Sequence, residues 1–284
     1  MSYKRILTIQ DISCVGQCSL TVALPVLSAC GHETCVLPTA LLSTHTGGFG
    51  KPAIVPLSDA LPEIVEHWKK NGITFDVILT GYLGSIRAIH AAVQVMETML
   101  SPGGICIVDP AMADHGRLYA GFDGDYVWEM KTLCGRADRI LPNLTEAALL
   151  AGLPCRDRTD EAYARELLEE LPNDRVILTG VGEEDTGLLL RDCGEVRRYA
   201  HPRLPGSFSG TGDLFAAAFT GAVAAEKGLY ESAKIAADFT CRCIECTIAR
   251  PAHWYGVKFE PVLPELMRML GIKYIGFTQQ TNHA

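Results

Sequence analysis

Several features are scarce in this chain, and each scarcity excludes a class of function. Acidic residues outnumber basic ones, 33 to 25, and leave a formal charge of -8 with no block of five or six like charges. A surface with no basic excess repels nucleic acid and anionic membrane, so neither is expected as a partner. The longest apolar helical run, Leu214 to Ala225, falls short of the roughly 20 residues that a bilayer demands. There is no Gly-x-x-x-x-Gly-Lys-Ser/Thr loop, no Gly-x-Gly-x-x-Gly after the first strand, no Gly-x-Ser-x-Gly elbow and no His-Glu-x-x-His pair. A Walker loop, a Rossmann dinucleotide site, a hydrolase elbow and a helical zinc site are thereby excluded.

What is present suits a folded enzyme. The 284 residues are 48% hydrophobic and 20% charged, enough for one large core. Eleven cysteines, an odd number, follow a start that runs directly from Met1 to Arg5 into an apolar strand. These features imply a reducing, cytoplasmic setting with free thiols. Cys241-Arg-Cys243-x-x-Cys246 lacks the paired spacing of a metal knuckle and reads as small residues on a helix.

Apolar runs alternate with helical patterns. Strands are expected at Arg5–Ile9, Glu33–Leu37, Asp76–Leu79, Gly104–Val108, Ala137–Leu141 and Asp174–Thr179. Helices are expected at Ser19–Ala29, Leu61–Lys70, Ile86–Leu100, Leu144–Ala151, Tyr163–Leu171 and Asp213–Lys227, with another from Glu231. Thr44–Pro52 reads as a loop, and a polar segment with Asp114, His115 and Gly116 follows Asp109-Pro110. Two strands, Glu183–Leu190 and Glu195–Tyr199, form a pair joined near Gly194. The rhythm predicts an α/β fold: a central, mostly parallel sheet flanked by helices in three layers. A (β/α)₈ barrel is the rival, but the antiparallel pair and the lack of eight clean units count against it. One domain is expected over residues 1–271, with a partly disordered tail over 272–284.

The chemistry concentrates at Ser209-Gly210-Thr211-Gly212-Asp213, which opens a strongly apolar helix. Glycines at 210 and 212 permit close ligand approach, and the free N–H groups of a helix start attract phosphate. A carboxylate at that place can take a proton from a hydroxyl, so the segment offers both roles that phosphoryl transfer needs. A plain N-cap at Asp213 is the alternative. Asp109, Asn143 and Glu146 stand at other strand ends and suit a water-mediated Mg²⁺ site, with a simple helix cap from Asn143 and Glu146 as the alternative. Thr179 is placed to touch a phosphate, Tyr82 to pack on a planar substrate and Thr46 to orient it. Asp11, just after the first strand, is placed to accept from a ligand O–H or ring N–H⁺.

The segments Thr8-Ile9-Gln10-Asp11, Leu42-Ser43-Thr44-His45-Thr46-Gly47, Thr80-Gly81-Tyr82, Val108-Asp109-Pro110, Leu141-Pro142-Asn143-x-x-Glu146, Leu178-Thr179-Gly180 and Gly210-Thr211-Gly212-Asp213 together resemble a known family. The chain looks like a pyridoxal (vitamin B6) kinase of the ribokinase-like superfamily. The resemblance implies ATP-dependent phosphorylation of the 5′-hydroxymethyl group of pyridoxal, pyridoxine or pyridoxamine. It implies Asp213 as the base and Gly210, Thr211 and Gly212 as the anion hole. Asp109 and Glu146 match positions near Mg²⁺, and Asp109, Asn143, Glu146 and Thr179 positions near the nucleotide. Asp11, Thr46 and Tyr82 fall on the substrate side. ATP and Mg²⁺ are implied as cofactors, with a monovalent cation left open, and a homodimer as the assembly. The family often has Ser where this chain has Asp11, and a Gly-Tyr/His-Val-Gly-Asn run where it has Gly16-Gln17-Cys18-Ser19-Leu20. A kinase for hydroxymethylpyrimidine or another small alcohol is the nearest alternative, and a non-catalytic binding protein on the same fold is a third.

Overall fold

The computed structural model describes residues 3–156, 161–182, 185–250 and 253–272. The chain runs β1 (Arg5–Ser13), α1 (Leu20–Ala29), β2 (Glu33–Leu42), β3 (Ile54–Pro56), α2 (Leu61–Lys70), β4 (Phe75–Thr80), α3 (Ile86–Met99) and β5 (Leu100–Val108). It continues through β6 (Ala113–Asp114), β7 (Arg117–Leu118), α4 (Gly124–Gly135), β8 (Arg139–Ile140), α5 (Leu144–Ala151), α6 (Glu161–Glu170) and β9 (Arg175–Val181). Then come β10 (Asp185–Asp192), β11 (Glu195–Pro202), α7 (Thr211–Ala224), α8 (Leu229–Ile248), a 3₁₀ turn (Glu260–Val262) and α9 (Leu263–Met269).

Nine strands form one sheet in the order β11-β10-β9-β8-β5-β4-β1-β2-β3. The run from β2 to β9 is parallel, whereas β3, β10 and β11 add on antiparallel. Side chains alternate across the sheet, so each strand feeds two cores. Leu7, Ile9, Ile78, Leu178 and Leu189 face the layer of α2 to α6. Ile6, Leu79, Ile177, Leu188 and Leu190 face α1, α7, α8 and α9. This is the expected three-layer α/β fold, and the open sheet excludes the barrel.

α7 is buried from Leu214 to Ala224 with no polar face. Such all-round apolarity marks a helix packed on every side; α1 and α8 cover it. The start of α7 is therefore fixed rigidly relative to the sheet. No helix among the described residues is long and apolar enough to cross a membrane. All eleven cysteines are unpaired, and Cys243 is buried on α8 with Cys241 and Cys246 half-buried beside it, as read from their spacing.

Several expectations need correction. β1 and β2 run on to Ser13 and Leu42, beyond the Ile9 and Leu37 read from apolar runs. Asp11 is thus inside β1 rather than after it. Parallel pairing resumes after a register shift between Gln10 and Ile12, as Ile12↔Leu41 and Ser13↔Leu42, and carries the strands through polar residues. The polar segment after Pro110 holds the β6–β7 ribbon, and α4 follows it. Glycines at both ends of α4 hid it, while the Asp123 side chain accepting from Tyr126 N starts it. β3 and α9 were also unforeseen. Pro25 sits inside α1 without ending it. Residues 183–184, expected in a strand, and the tail beyond Ile272 lie outside the described residues.

Candidate active site

The carboxyl ends of β1, β4, β5, β8 and β9 meet along one edge. The register lines up Ile9 with Thr80, Thr80 with Val108 and Val108 with Ile140, so the residues just beyond them share a level. Ligands in open parallel sheets bind at this edge. A cavity of about 690 Å³ opens there, and every site residue singled out in the sequence lines it.

Its floor is the opening turn of α7. Gly210 is the N-cap, at φ 80°, and the first helical hydrogen bond runs from Leu214 N to Gly210 O. Helix geometry leaves the preceding N–H groups, those of Thr211, Gly212 and Asp213, without intrahelical partners. Asp213 is the third residue of the helix, so it is not the cap that the bland reading assumed. The Ser19 backbone N–H faces its carboxylate. Burial nevertheless pushes the Asp213 carboxyl up to about 7, with Asp109 and Asp11 adding like-charge repulsion. Ser19 holds φ 49°, a conformation that costs a non-glycine residue of order 1–3 kcal/mol.

Asn143 and Glu146 make the capping box that the alternative reading described: Asn143 Oδ1 accepts from Glu146 N at 3.0 Å, and Glu146 Oε2 from Asn143 N at 2.9 Å. They do more than cap. Glu146 Oε1 accepts from Met112 N at 3.1 Å, and Asn143 Nδ2 donates to Ala113 O at 2.8 Å. The pair thus clamps the chain that follows Asp109. Glu146 is 2% exposed and Asp109 9%. Burial raises the pKa of both, and the Glu146 charge raises that of Asp109 further.

Among the described residues, no three His, Cys, Asp or Glu side chains are grouped to hold a metal ion. The cavity still favours a cation: its lining holds Asp11, Asp109, Asp114, Glu146 and Asp213 and, among the described residues, no Lys or Arg. A polyphosphate entering such a cavity needs its charge neutralised by a cation that it brings along. Mg²⁺ fits that demand, since it keeps several waters and few protein ligands.

The other wall is built from β1, the 44–48 loop and Tyr82. Asp11 is 3% exposed; Ser13 Oγ donates to its Oδ2 at 3.4 Å, and burial raises its pKa. Tyr82 stacks on Phe122 at 5.5 Å and leans toward Tyr119 at 6.4 Å. Thr46 is exposed at the mouth, and His45 Nδ1 accepts from Gly47 N at 3.0 Å. Thr179 bridges to Asn143 between β9 and α5.

Sequence reasoning missed Cys18, Ser19, Tyr119 and Phe208, all of which line the cavity. It read Cys241 only as a small helix residue, yet Cys241 lines it too, as does His201, with Cys241 Sγ 3.3 Å from His201 Nδ1. Burial, then the charges of Asp238 and Glu245, push that thiol up to about 11, so it stays neutral. These residues come from elements that only the tertiary fold brings together.

Residues 24–257 match the model of the phosphomethylpyrimidine kinase family. The chain belongs to that family. Within and around it, the chain is similar to proteins of more than one name. It is 37% identical to a pyridoxal kinase from Lactobacillus plantarum of known structure, with a TM-score of 0.87 over 94% of this chain and 98% of that one. It is 35% identical to a putative phosphomethylpyrimidine kinase from Bacteroides thetaiotaomicron solved with pyridoxal, with a TM-score of 0.85 over 93% and 96% of the two chains. A pyridoxal kinase from Arabidopsis thaliana is 27% identical over 227 residues, 76% of this chain and 73% of that protein. The family places this chain among kinases, in line with the fold and the helix-start site.

Proposed function

We propose that this protein transfers the terminal phosphoryl group of ATP to the 5′-hydroxymethyl group of a B6 vitamer. The observation that carries this reading is the place of Asp213: in the first turn of α7, beside the free N–H groups of that turn, on the floor of a cavity that also holds Asp11 and Tyr82. Asp213 takes the hydroxyl proton as the substrate oxygen bonds to the terminal phosphorus. The bond from that phosphorus to the bridging oxygen breaks, and ADP leaves. The N–H groups around Gly210, Thr211 and Gly212 face the charge that shifts during transfer. Asp109 and Glu146 would hold a Mg²⁺ brought with the nucleotide, through water, and Asn143 and Thr179 complete the nucleotide side. Bound there, the ion supplies neutralisation of phosphate charge.

The substrate side is assigned to Asp11, Thr46 and Tyr82. Asp11 is a buried carboxylate whose ring N–H⁺ or O–H partner would come from the vitamer. Losing a charge-assisted hydrogen bond costs roughly 1.5–3 kcal/mol. Asp11→Asn is therefore expected to raise the KM for pyridoxal about tenfold or more with kcat changed far less. Equal KM values in steady-state assays would remove Asp11 from the substrate contacts.

A pyrimidine substrate is the second reading, favoured by the family that the chain matches over residues 24–257. The test is ADP release with Mg-ATP and a panel of alcohols. The vitamers should give the highest kcat/KM; a higher value for hydroxymethylpyrimidine would overturn the choice of substrate. The homodimer and the cytoplasmic setting belong to the same reading. Support for a dimer is the exposure of Ile54 and Val55, 53% and 54%, on edge strand β3.

A further inference from the structure

The turn between β1 and α1 is gripped from four sides. A Cβ on Gly210 would overlap the Gln17 carbonyl oxygen and reach 3.3 Å from Cys18 Cα, so this turn lies directly against the N-cap of α7. On a second side, His45 N donates to Val15 O at 2.8 Å, and a Cβ on Gly16 would stand 2.7 Å from His45 Cβ. On a third, Thr21 Oγ1 donates to Gly16 O at 3.0 Å and Cys18 O at 2.7 Å. The fourth side comes from the other end of the chain. Gln17 N donates to Tyr255 O at 3.3 Å, and Gln17 bridges to Gly256, where φ is 146° and a Cβ would stand 2.6 Å from Gln17 Cβ.

The Gln17 side chain closes that fourth side. Its Nε2 donates to Glu260 Oε1 at 2.6 Å, and its Oε1 is 2.6 Å from His253 Nε2. A carboxylate only accepts, so the amide nitrogen must face Glu260 and the oxygen His253, whose Nε2 then carries the proton. Beside His253, Trp254 covers Gly48 and stands 4.6 Å from Phe49. One amide thus ties the 253–260 segment to a turn that touches both Gly210 and His45.

We propose that Gln17 is a positioning residue for phosphoryl transfer: its two side-chain hydrogen bonds hold the 253–260 segment against the 16–18 turn, and that turn sets where Gly210 stands relative to the substrate loop at His45. The inference rests on the reading of Gly210 to Asp213 as the transfer site. Gln17 does not line the cavity, so it acts through the backbone that it holds. Its effect falls on alignment in the transition state, where a shift of about 1 Å can cost roughly a hundredfold in rate.

An exchange of partners tests it. Gln17→Glu sets a carboxylate against that of Glu260 and breaks the contact. Glu260→Gln alone keeps an oxygen to accept from Gln17. In the double variant Q17E/E260Q the introduced amide donates to the introduced carboxylate, whose other oxygen still accepts from His253. The kcat, the KM for ATP and the melting temperature are measured for all three. Q17E should lower kcat about tenfold or more with the KM for ATP within about twofold, and E260Q should stay within about twofold of wild type in kcat. The double variant should recover to within about threefold, the non-additivity expected of groups in direct contact. A Q17E protein that melts earlier but keeps wild-type kcat per folded molecule would overturn the proposal, as would a double variant as slow as Q17E. A wild type that releases no ADP with any vitamer sinks the kinase reading and this inference with it. An active wild type with an unimpaired Q17E sinks this inference alone.

Discussion

Asp213→Asn is expected to lower kcat by about 10²–10⁴, the usual contribution of a positioned general base. The KM for ATP and the melting temperature should change little. Asn matches Asp in shape, so the opening turn of α7 keeps its contacts, including the approach of the Ser19 N–H. Only the ability to take a proton is removed. The Asp213 carboxyl is held near 7 by burial first, then by Asp109 and Asp11, so its proton affinity is close to the working pH at which a base is most effective. Steady-state kinetics with saturating Mg-ATP and pyridoxal measure the effect. A D213N protein within about tenfold of wild type would leave the chemistry to positioning and charge stabilisation alone.

The second large effect is expected at Gly210. Its φ of 80° lies in the left-handed region, which costs an alanine roughly 1–2 kcal/mol. A Cβ there would also overlap the Gln17 carbonyl oxygen, a backbone atom held by the contacts of the β1–α1 turn. The turn and the start of α7 cannot both stay in place. Gly210→Ala should therefore move the free N–H groups away from the transferring phosphoryl group and lower kcat roughly a hundredfold, with a smaller change in the KM for the vitamer. Thermal melting of the variant should fall by only a few degrees, because the body of α7 from Leu214 to Ala224 keeps its packing. A G210A protein with wild-type kcat would show that the close approach to Gln17 plays no part in transfer.

How legible was this in the sequence? α2 and α5 could be bounded to the residue, because apolar spacing, Asn71-Gly72 and the Asn143-x-x-Glu146 pair mark their ends locally. The antiparallel pair of β10 and β11 was visible for the same reason, through the turn at Gly194. The strands β1 and β2 were cut short because Gln10, Ile12 and Ser13 pair with Pro38, Leu41 and Leu42 across a register shift, whatever their own composition. α4 lacked a strong apolar stripe and depends on packing against α3 and α5. At the site, glycines before an apolar helix gave the floor, and carboxylates after strands gave the walls. Asn143 and Glu146 form the helix cap that one reading offered for them, and both also line the cavity. Tyr119, Cys241 and His201 had no local mark, and neither did the Gln17–Glu260 contact across 243 positions of chain. Such contacts arise only when distant segments meet.

The measurement that reaches most directly to the role of Asp213 is the pH dependence of kcat/KM, which reports groups of the free enzyme, in wild type and D213N. A base with a raised pKa is active when ionised, so its activity is full above that value and lost below it. The wild-type kcat/KM should be level above about pH 7 and fall toward tenfold per unit below it, while the residual kcat/KM of D213N should lose that limb. A wild-type limb that persists unchanged in D213N would assign the essential proton acceptor to another group.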